Sequence, residues 1–202
     1  HVETFEVQIN PEEPAAGTRA VPFSRELFIE RDDVREVPPP KYWRLFPGNE
    51  VRLRGAYLVR CTGVVKHPAT GEIAEVRATI DPDSRGGNAP DGRKVKSTIH
   101  WVSAAHAVEA EVRLYEHLFT CPDPDQAPVG GSWHDNLNPA SIEVLTGCKL
   151  EPSLAAAQLG DRYQFERLGY FCVDPDTAPG RLVSNRSVGL RDSWAKIERA
   201  QQ

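Results

Sequence analysis

Pro47-Gly-Asn-Glu-Val-Arg-Leu-Arg-Gly-Ala-Tyr-Leu-Val-Arg-Cys61 is the stretch from which the fold is read. From Val51 onward, Val51, Leu53, Tyr57, Val59 and Cys61 fall on odd positions, and Arg52, Arg54 and Arg60 on even ones. Successive side chains of a strand point to opposite faces, so this alternation predicts one strand with an apolar face and a cationic face. A helix would smear the arginines around its axis. Two arginines two residues apart project side by side from a rigid element, and the partner they suit is a polyanion with hydrogen-bonding edges, such as RNA.

Charge around this stretch agrees. Residues 41–60 carry Lys41, Arg44, Arg52, Arg54 and Arg60 against Glu50 alone, a local +4 within a chain of net charge -5. A basic patch on an acidic body points to a localised polyanion site rather than to general coating by charge, and DNA is not an expected partner. At 202 residues the chain is long enough for one large or two small domains.

Outward from the patch, the chain reads as strands separated by turn-rich loops. Thr4–Ile9, Glu26–Ile29, Ile73–Ile80, Lys94–Val102 and Val108–Tyr115 carry the expected patterning, as do Ser141–Leu145, Arg162–Cys172 and Ser187–Leu190. Pro38-Pro-Pro40 cannot continue a helix or a ladder and is taken as the clearest boundary. The Asp/Gly/Pro-rich loops 81–93 and 120–137 punctuate the rest. Pro152–Gly160 is expected to form a turn or two of helix, and Ser193–Arg199 a short amphipathic close.

Catalytic patterns are scarce. The sequence has no G-x-x-x-x-G-K-[ST], no H-E-x-x-H and no G-x-G-x-x-G. The four cysteines, Cys61, Cys121, Cys148 and Cys172, lack the paired spacing of a zinc site and read as reduced and structural, which fits a cytoplasmic setting. His100, His106 and His117 read as hydrogen-bonded histidines rather than as metal ligands, and no long apolar run predicts a membrane span. The chain contains no Met and begins at His1, so it is expected to be a segment of a longer protein.

Six blocks, in order, carry a family likeness. They are Gly48-x-Glu-Val-Arg-Leu-Arg-x-Ala-Tyr57, Asp91-Gly-Arg-Lys-Val-Lys96, Ile99-His-Trp-Val-Ser-Ala-Ala-His106, Glu111-Val-Arg-Leu-Tyr115, Gln164-Phe-Glu-Arg-x-Gly-Tyr-Phe-Cys172 and Asn185-Arg-x-Val-Gly-Leu-Arg-Asp-x-Trp-Ala-Lys196. Together they resemble the C-terminal anticodon-binding region of the glutaminyl-tRNA synthetase family, over about residues 19–196. The corresponding region of an archaeal or eukaryotic-type glutamyl-tRNA synthetase, and an L25-like ribosomal RNA-binding protein, are the alternative readings.

The resemblance implies a mainly β chain folded as two antiparallel β-barrels, ribosomal protein L25-like, with a distal barrel inserted into a proximal one. Residues 1–38 and 120–202 would form the proximal barrel, and 39–119 the distal one. It implies glutamine tRNA, held by its anticodon loop, as the partner. The chain's own N-terminal catalytic domain would be a second partner and would use ATP with Mg2+; no cofactor is expected in this segment, which should act as a monomer. By position, Arg52 and Arg54 would lie at the first anticodon base, Gln164 and Arg167 at the middle uracil, and Arg44 at the third-position guanine, with Lys41 and Arg191 as backbone or loop contacts. Trp43 stands where relatives carry a lysine, which would replace a donor by a ring that stacks on a base.

Overall fold

The computed structural model describes residues 2–125 and 130–190. The chain is mainly β and divides into two units, each with its own core. Arg191 and the expected amphipathic segment 193–199 lie outside the described residues.

The first unit comprises residues 1–107 with 151–153. Its strands are β1 (Glu3–Gln8), β2 (Thr18–Phe23), β3 (Leu27–Ile29), β4 (Glu50–Leu53), β5 (Leu58–Lys66), β6 (Ile73–Asp81), β7 (Thr98–Ile99) and β8 (Trp101–Ser103). β1 pairs with β2, β3 with β8, and the other four form a sheet in the order β6-β5-β4-β7. The stretch read as one strand over 51–61 is therefore a hairpin. Val51 pairs with Val59 and Arg52 with Leu58, and the reversal is closed by Leu53 N–H donating to Tyr57 O at 2.8 Å and Ala56 N–H to Leu53 O at 3.0 Å. Gly55, at φ 69°, takes the left-handed position of this tight turn.

Alternation did not reveal the turn because residues paired directly across a hairpin share a face, so the odd positions remain inward in both arms. Val51, Leu53, Val59 and Cys61 are all buried, together with Tyr57, Ile99 and Trp101. Phe5, Phe23, Tyr57 and Trp101 meet edge to face around this core, with centroids 5.1 Å apart for Phe23 and Trp101 and 5.3 Å for Phe5 and Tyr57. The expected strand 94–102 is likewise two short ones, because β7 pairs parallel to β4 while β8 turns away to pair with β3.

The second unit comprises residues 108–150 and 154–202. Its described strands are β9 (Val108–Tyr115), β10 (Ile142–Leu150), β11 (Arg162–Phe165), β12 (Gly169–Val173) and β13 (Leu182–Gly189), in one sheet ordered β10-β9-β13-β12-β11. Ala110, Leu154, Val173 and Leu182 form its core, with Val108, Leu150, Tyr163 and Phe165 packed against them. The stretch read as one strand over 162–172 is a second hairpin with its turn at 166–168. Within the stretch 152–160, expected to form a turn or two of helix, a short 3-10 helix covers Pro152–Ala156.

The expected mainly β fold class holds, and two details of the expected organisation differ. The ladders are not all antiparallel, since β4 and β7 and also β9 and β13 run parallel, and none of the sheets closes on itself among the described residues. The grouping of residues 1–38 with 120–202 also differs from the packing. Phe5, Val21 and Val34 share one core with Leu45, Val51 and Trp101. The triple proline lies in a loop whose feet meet: Arg35 N–H donates to Leu45 O at 3.0 Å and Leu45 N–H to Asp33 O at 2.9 Å. Prolines end a ladder whether the chain then leaves a unit or merely makes an excursion and returns.

Candidate nucleic-acid interface

In the first unit, three of the residues singled out from sequence sit on the excursion between Asp33 and Leu45. Lys41 is exposed and adopts φ 65°. Trp43 presents half of its surface to solvent. Arg44 turns back: its Nη1 lies 3.1 Å from Oδ1 of the buried Asp33 and donates to Asp32 O at 3.2 Å. The Asp33 contact is a charge pair with a desolvated carboxylate, which fixes where the guanidinium sits. Both contacts run through Nη1, so neither engages Nη2 or Nε. Asn49 secures the loop from below, its Nδ2 donating to Arg44 O at 2.6 Å and Trp43 O at 3.2 Å while its own carbonyl accepts from Cys61 N–H at 3.0 Å. The loop is thus tied to the β4–β5 hairpin.

Arg52 and Arg54, expected side by side on one strand, are separated in role. Arg52 is on β4, where its Nε donates to Gly87 O and its Nη1 to Thr98 Oγ1 at 3.4 Å. Arg54 is exposed on the turn, and its backbone is held twice: its N–H donates to Ile99 O and its carbonyl accepts from Trp101 Nε1–H, both at 3.0 Å. The loop that meets Arg52 is anchored by Arg93, whose fork donates to Glu50 at 2.9 and 3.0 Å, to Asp91 at 2.9 Å and to Asp81. Hydrogen bonds donated to Glu50, then to Asp81 and Asp91, push the Arg93 guanidinium well above its usual range, so it stays charged throughout.

A further buttress lies behind Trp101. Glu151 is buried and accepts from Arg19 Nε at 2.6 Å and Nη2 at 2.9 Å, with His100 Nε2 at 3.2 Å. Burial alone pushes this carboxyl up, but the Arg19 and His100 contacts outweigh it and bring its pKa down to about 2.

In the second unit, Gln164 and Arg167 belong to the β11–β12 hairpin. On a regular strand they would face opposite ways. The turn removes that conflict, because Gln164 stays on β11, exposed and paired across from Tyr170, while Arg167 lies at the hairpin tip. Phe165 stacks on Phe171 at 4.2 Å and belongs to the core, as do Tyr57 and Trp101 in the first unit.

Backbone conformation singles out two of these residues. Among the described residues, the only non-glycine side chains at positive φ are Lys41 at 65° and Arg167 at 63°. The left-handed region costs a residue with a Cβ roughly 1–2 kcal/mol, and such costs concentrate where a side chain must be presented in one direction. Sequence reading missed the supports: Asp33, Asn49 and Arg93 act through contacts between residues far apart or in loops, which no periodicity records. The Ser103 hydroxyl meets His106 Nδ1 at 2.8 Å but is buried against Ser24 Oγ at 2.7 Å, a structural chain rather than an accessible nucleophile. No helix among the described residues is long and apolar enough to cross a membrane.

Two family models match, at residues 1–81 and at residues 98–174, and both are described as the anticodon-binding domain of class I (E and Q) tRNA synthetases. The chain is 55% identical over 198 residues to a glutamine–tRNA ligase of Nitrobacter winogradskyi, covering 98% of this chain and 34% of that protein. It is 56% identical over 194 residues to a glutamine–tRNA ligase of Pseudomonas putida, covering 96% of this chain and 34% of that protein. The chain therefore spans about a third of the length of the curated relatives it matches.

Proposed function

Because the chain belongs to the family of class I (E and Q) tRNA synthetase anticodon-binding domains, we propose that it reads the anticodon of glutamine tRNA as part of a glutamine–tRNA ligase. The observation that carries the reading is the pair of family matches, at 1–81 and 98–174, each of which contains residues assigned here to anticodon bases. The physics is favourable. Sequence-specific RNA recognition targets unstacked loop bases, read on their edges by donors and acceptors and stacked on aromatic or guanidinium planes.

In this reading Arg54, on its doubly held turn, meets the first base, with Arg52 oriented behind it by Gly87 O. Gln164 and Arg167 read the middle uracil, Arg44 donates to the third-position guanine, and Lys41 and Arg191 meet the RNA backbone. Arg44 brings its remaining donors to that base because Asp33 holds Nη1. A bidentate arginine on guanine O6 and N7 separates right from wrong base by about 1–3 kcal/mol. ATP and Mg2+ serve a catalytic domain elsewhere in the parent ligase, which works in the cytoplasm as a monomer.

The test is a titration of this chain, at one fixed salt concentration, with glutamine tRNA and with the same tRNA substituted at the middle anticodon base. Tighter binding of the unsubstituted tRNA is expected, and Arg167→Ala should shrink the difference about tenfold. Equal binding of both tRNAs by the unaltered chain would overturn the reading. Salt must be held constant because phosphate contacts make affinity steeply salt-dependent.

A further inference from the structure

Lys96 places its Nζ 3.4 Å from the centroid of the Trp43 ring, covering one face of an indole that is otherwise half exposed. An exposed tryptophan on a mobile loop would be unremarkable, but this one is held. Its carbonyl and that of Arg44 both accept from Asn49 Nδ2. The loop closes on itself at Arg35 and Leu45. Lys96 is held as well, since the carbonyl of the next residue, Ser97, accepts from Arg52 N–H at 2.9 Å. Lys96 lies over the ring, and Lys41 and Arg44 stand within two positions of Trp43 in the chain.

We propose that Trp43 and Lys96 form a one-sided stacking platform for an unstacked purine of the anticodon loop, with Lys96 behind the indole and the base on its open face. Aromatic side chains that stack on bases are sequence-tolerant, because every base has a π-face. The ammonium behind this ring alters that. It draws π-density toward itself, leaving the open face electron-poor and best matched to an electron-rich purine, of which guanine is the richest. Lys96 also pins the indole in place before the RNA arrives, so that less side-chain freedom is lost on binding. This makes Lys96 a positioning residue and Trp43 the contact. The proposal deepens the anticodon-reading assignment and rests on it.

The experiment uses the 202-residue chain and anticodon stem-loop RNAs of the glutamine tRNA, each carrying an abasic site at one of the three anticodon positions. Kd is measured for the unaltered chain, Trp43→Ala, Trp43→Phe and Lys96→Gln. At the third position the abasic site should weaken binding about tenfold for the unaltered chain and hardly at all for Trp43→Ala, with Trp43→Phe in between. Lys96→Gln should preserve stacking but narrow the preference for guanine over adenine there. A tenfold abasic effect that persists undiminished in Trp43→Ala at all three positions would overturn the platform. If that happens while the middle-base preference survives, only the platform fails; if base preference is absent throughout, the anticodon reading itself fails. A change in melting temperature on Trp43→Ala with unchanged coupling would mark the ring as structural and would also overturn the proposal.

Discussion

The two hairpins solve the same problem in opposite ways. β4–β5 reverses through Gly55 and places Arg54 beside the glycine, so the left-handed residue carries no side chain and the arginine keeps an ordinary backbone. β11–β12 reverses with Arg167 itself at φ 63°, and the nearby Gly169 serves instead for close packing, since a Cβ there would sit 2.3 Å from Val188 O. One turn separates conformation from presentation and the other unites them. The first arrangement is locally relaxed and is held by Trp101 and Ile99. The second fixes the direction of its arginine through the backbone, at an energetic cost.

The largest expected effect tests the role of the two glycines. Gly169→Ala should destabilise by about 3–4 kcal/mol, because a backbone carbonyl lies where the methyl must go and neither strand yields easily. Gly55→Ala should cost only about 1–2 kcal/mol, since its clash is with a Val7 methyl at 3.0 Å and its penalty is mainly conformational. Urea unfolding of the two variants, followed by circular dichroism, ranks them; equal losses would erase the distinction between a packing glycine and a turn glycine.

Acid should reach the support behind the first hairpin. The folded pKa of Glu151, about 2, lies below its ordinary value of 4.5, so its contribution is complete above pH 4.5 and is lost as pH falls toward 2. The size of the shift corresponds to about 3 kcal/mol at most. Unfolding free energies measured between pH 5 and pH 2 should fall less steeply for Glu151→Gln than for the unaltered chain. Parallel curves would remove Glu151 from the account.

The smallest effect concerns the second hairpin's own arginine. Arg167→Gly should stabilise the chain by about 0.5–1 kcal/mol by relieving the left-handed strain, part of the gain being offset by the glycine's greater unfolded-state freedom. The same substitution should remove middle-base discrimination in the tRNA titration. Stability and recognition would then move in opposite directions at one residue, as expected where strain serves presentation. Destabilisation by Arg167→Gly would show that the side chain's contacts outweigh the strain.

Much of the β content was legible because alternation is a local property. β9 spans Val108–Tyr115 as expected from its pattern, and Val51, Leu53, Tyr57, Val59 and Cys61 are buried as expected. The two reversals were not legible. A tight turn keeps cross-strand partners on one face, so the parity of Val51 and Val59 is the same whether the chain runs straight or folds back. The proline run at 38–40 was equally ambiguous, since its local effect is the same in an excursion and in a crossing.

The sequence by itself determined which residues bear charge on which face, and through six ordered blocks it pointed to the family. Tertiary structure alone decided how the arginines differ from one another. Arg44 is held by a buried Asp33, Arg52 is oriented by Gly87 O, Arg54 is carried on a pinned turn, and Arg167 stands at a left-handed tip. The physical reason is one of range. Side-chain parity is set by the pleat of a few consecutive residues, whereas the direction of a guanidinium is set by acceptors from 11 to 46 residues away, whose positions only the folded chain defines.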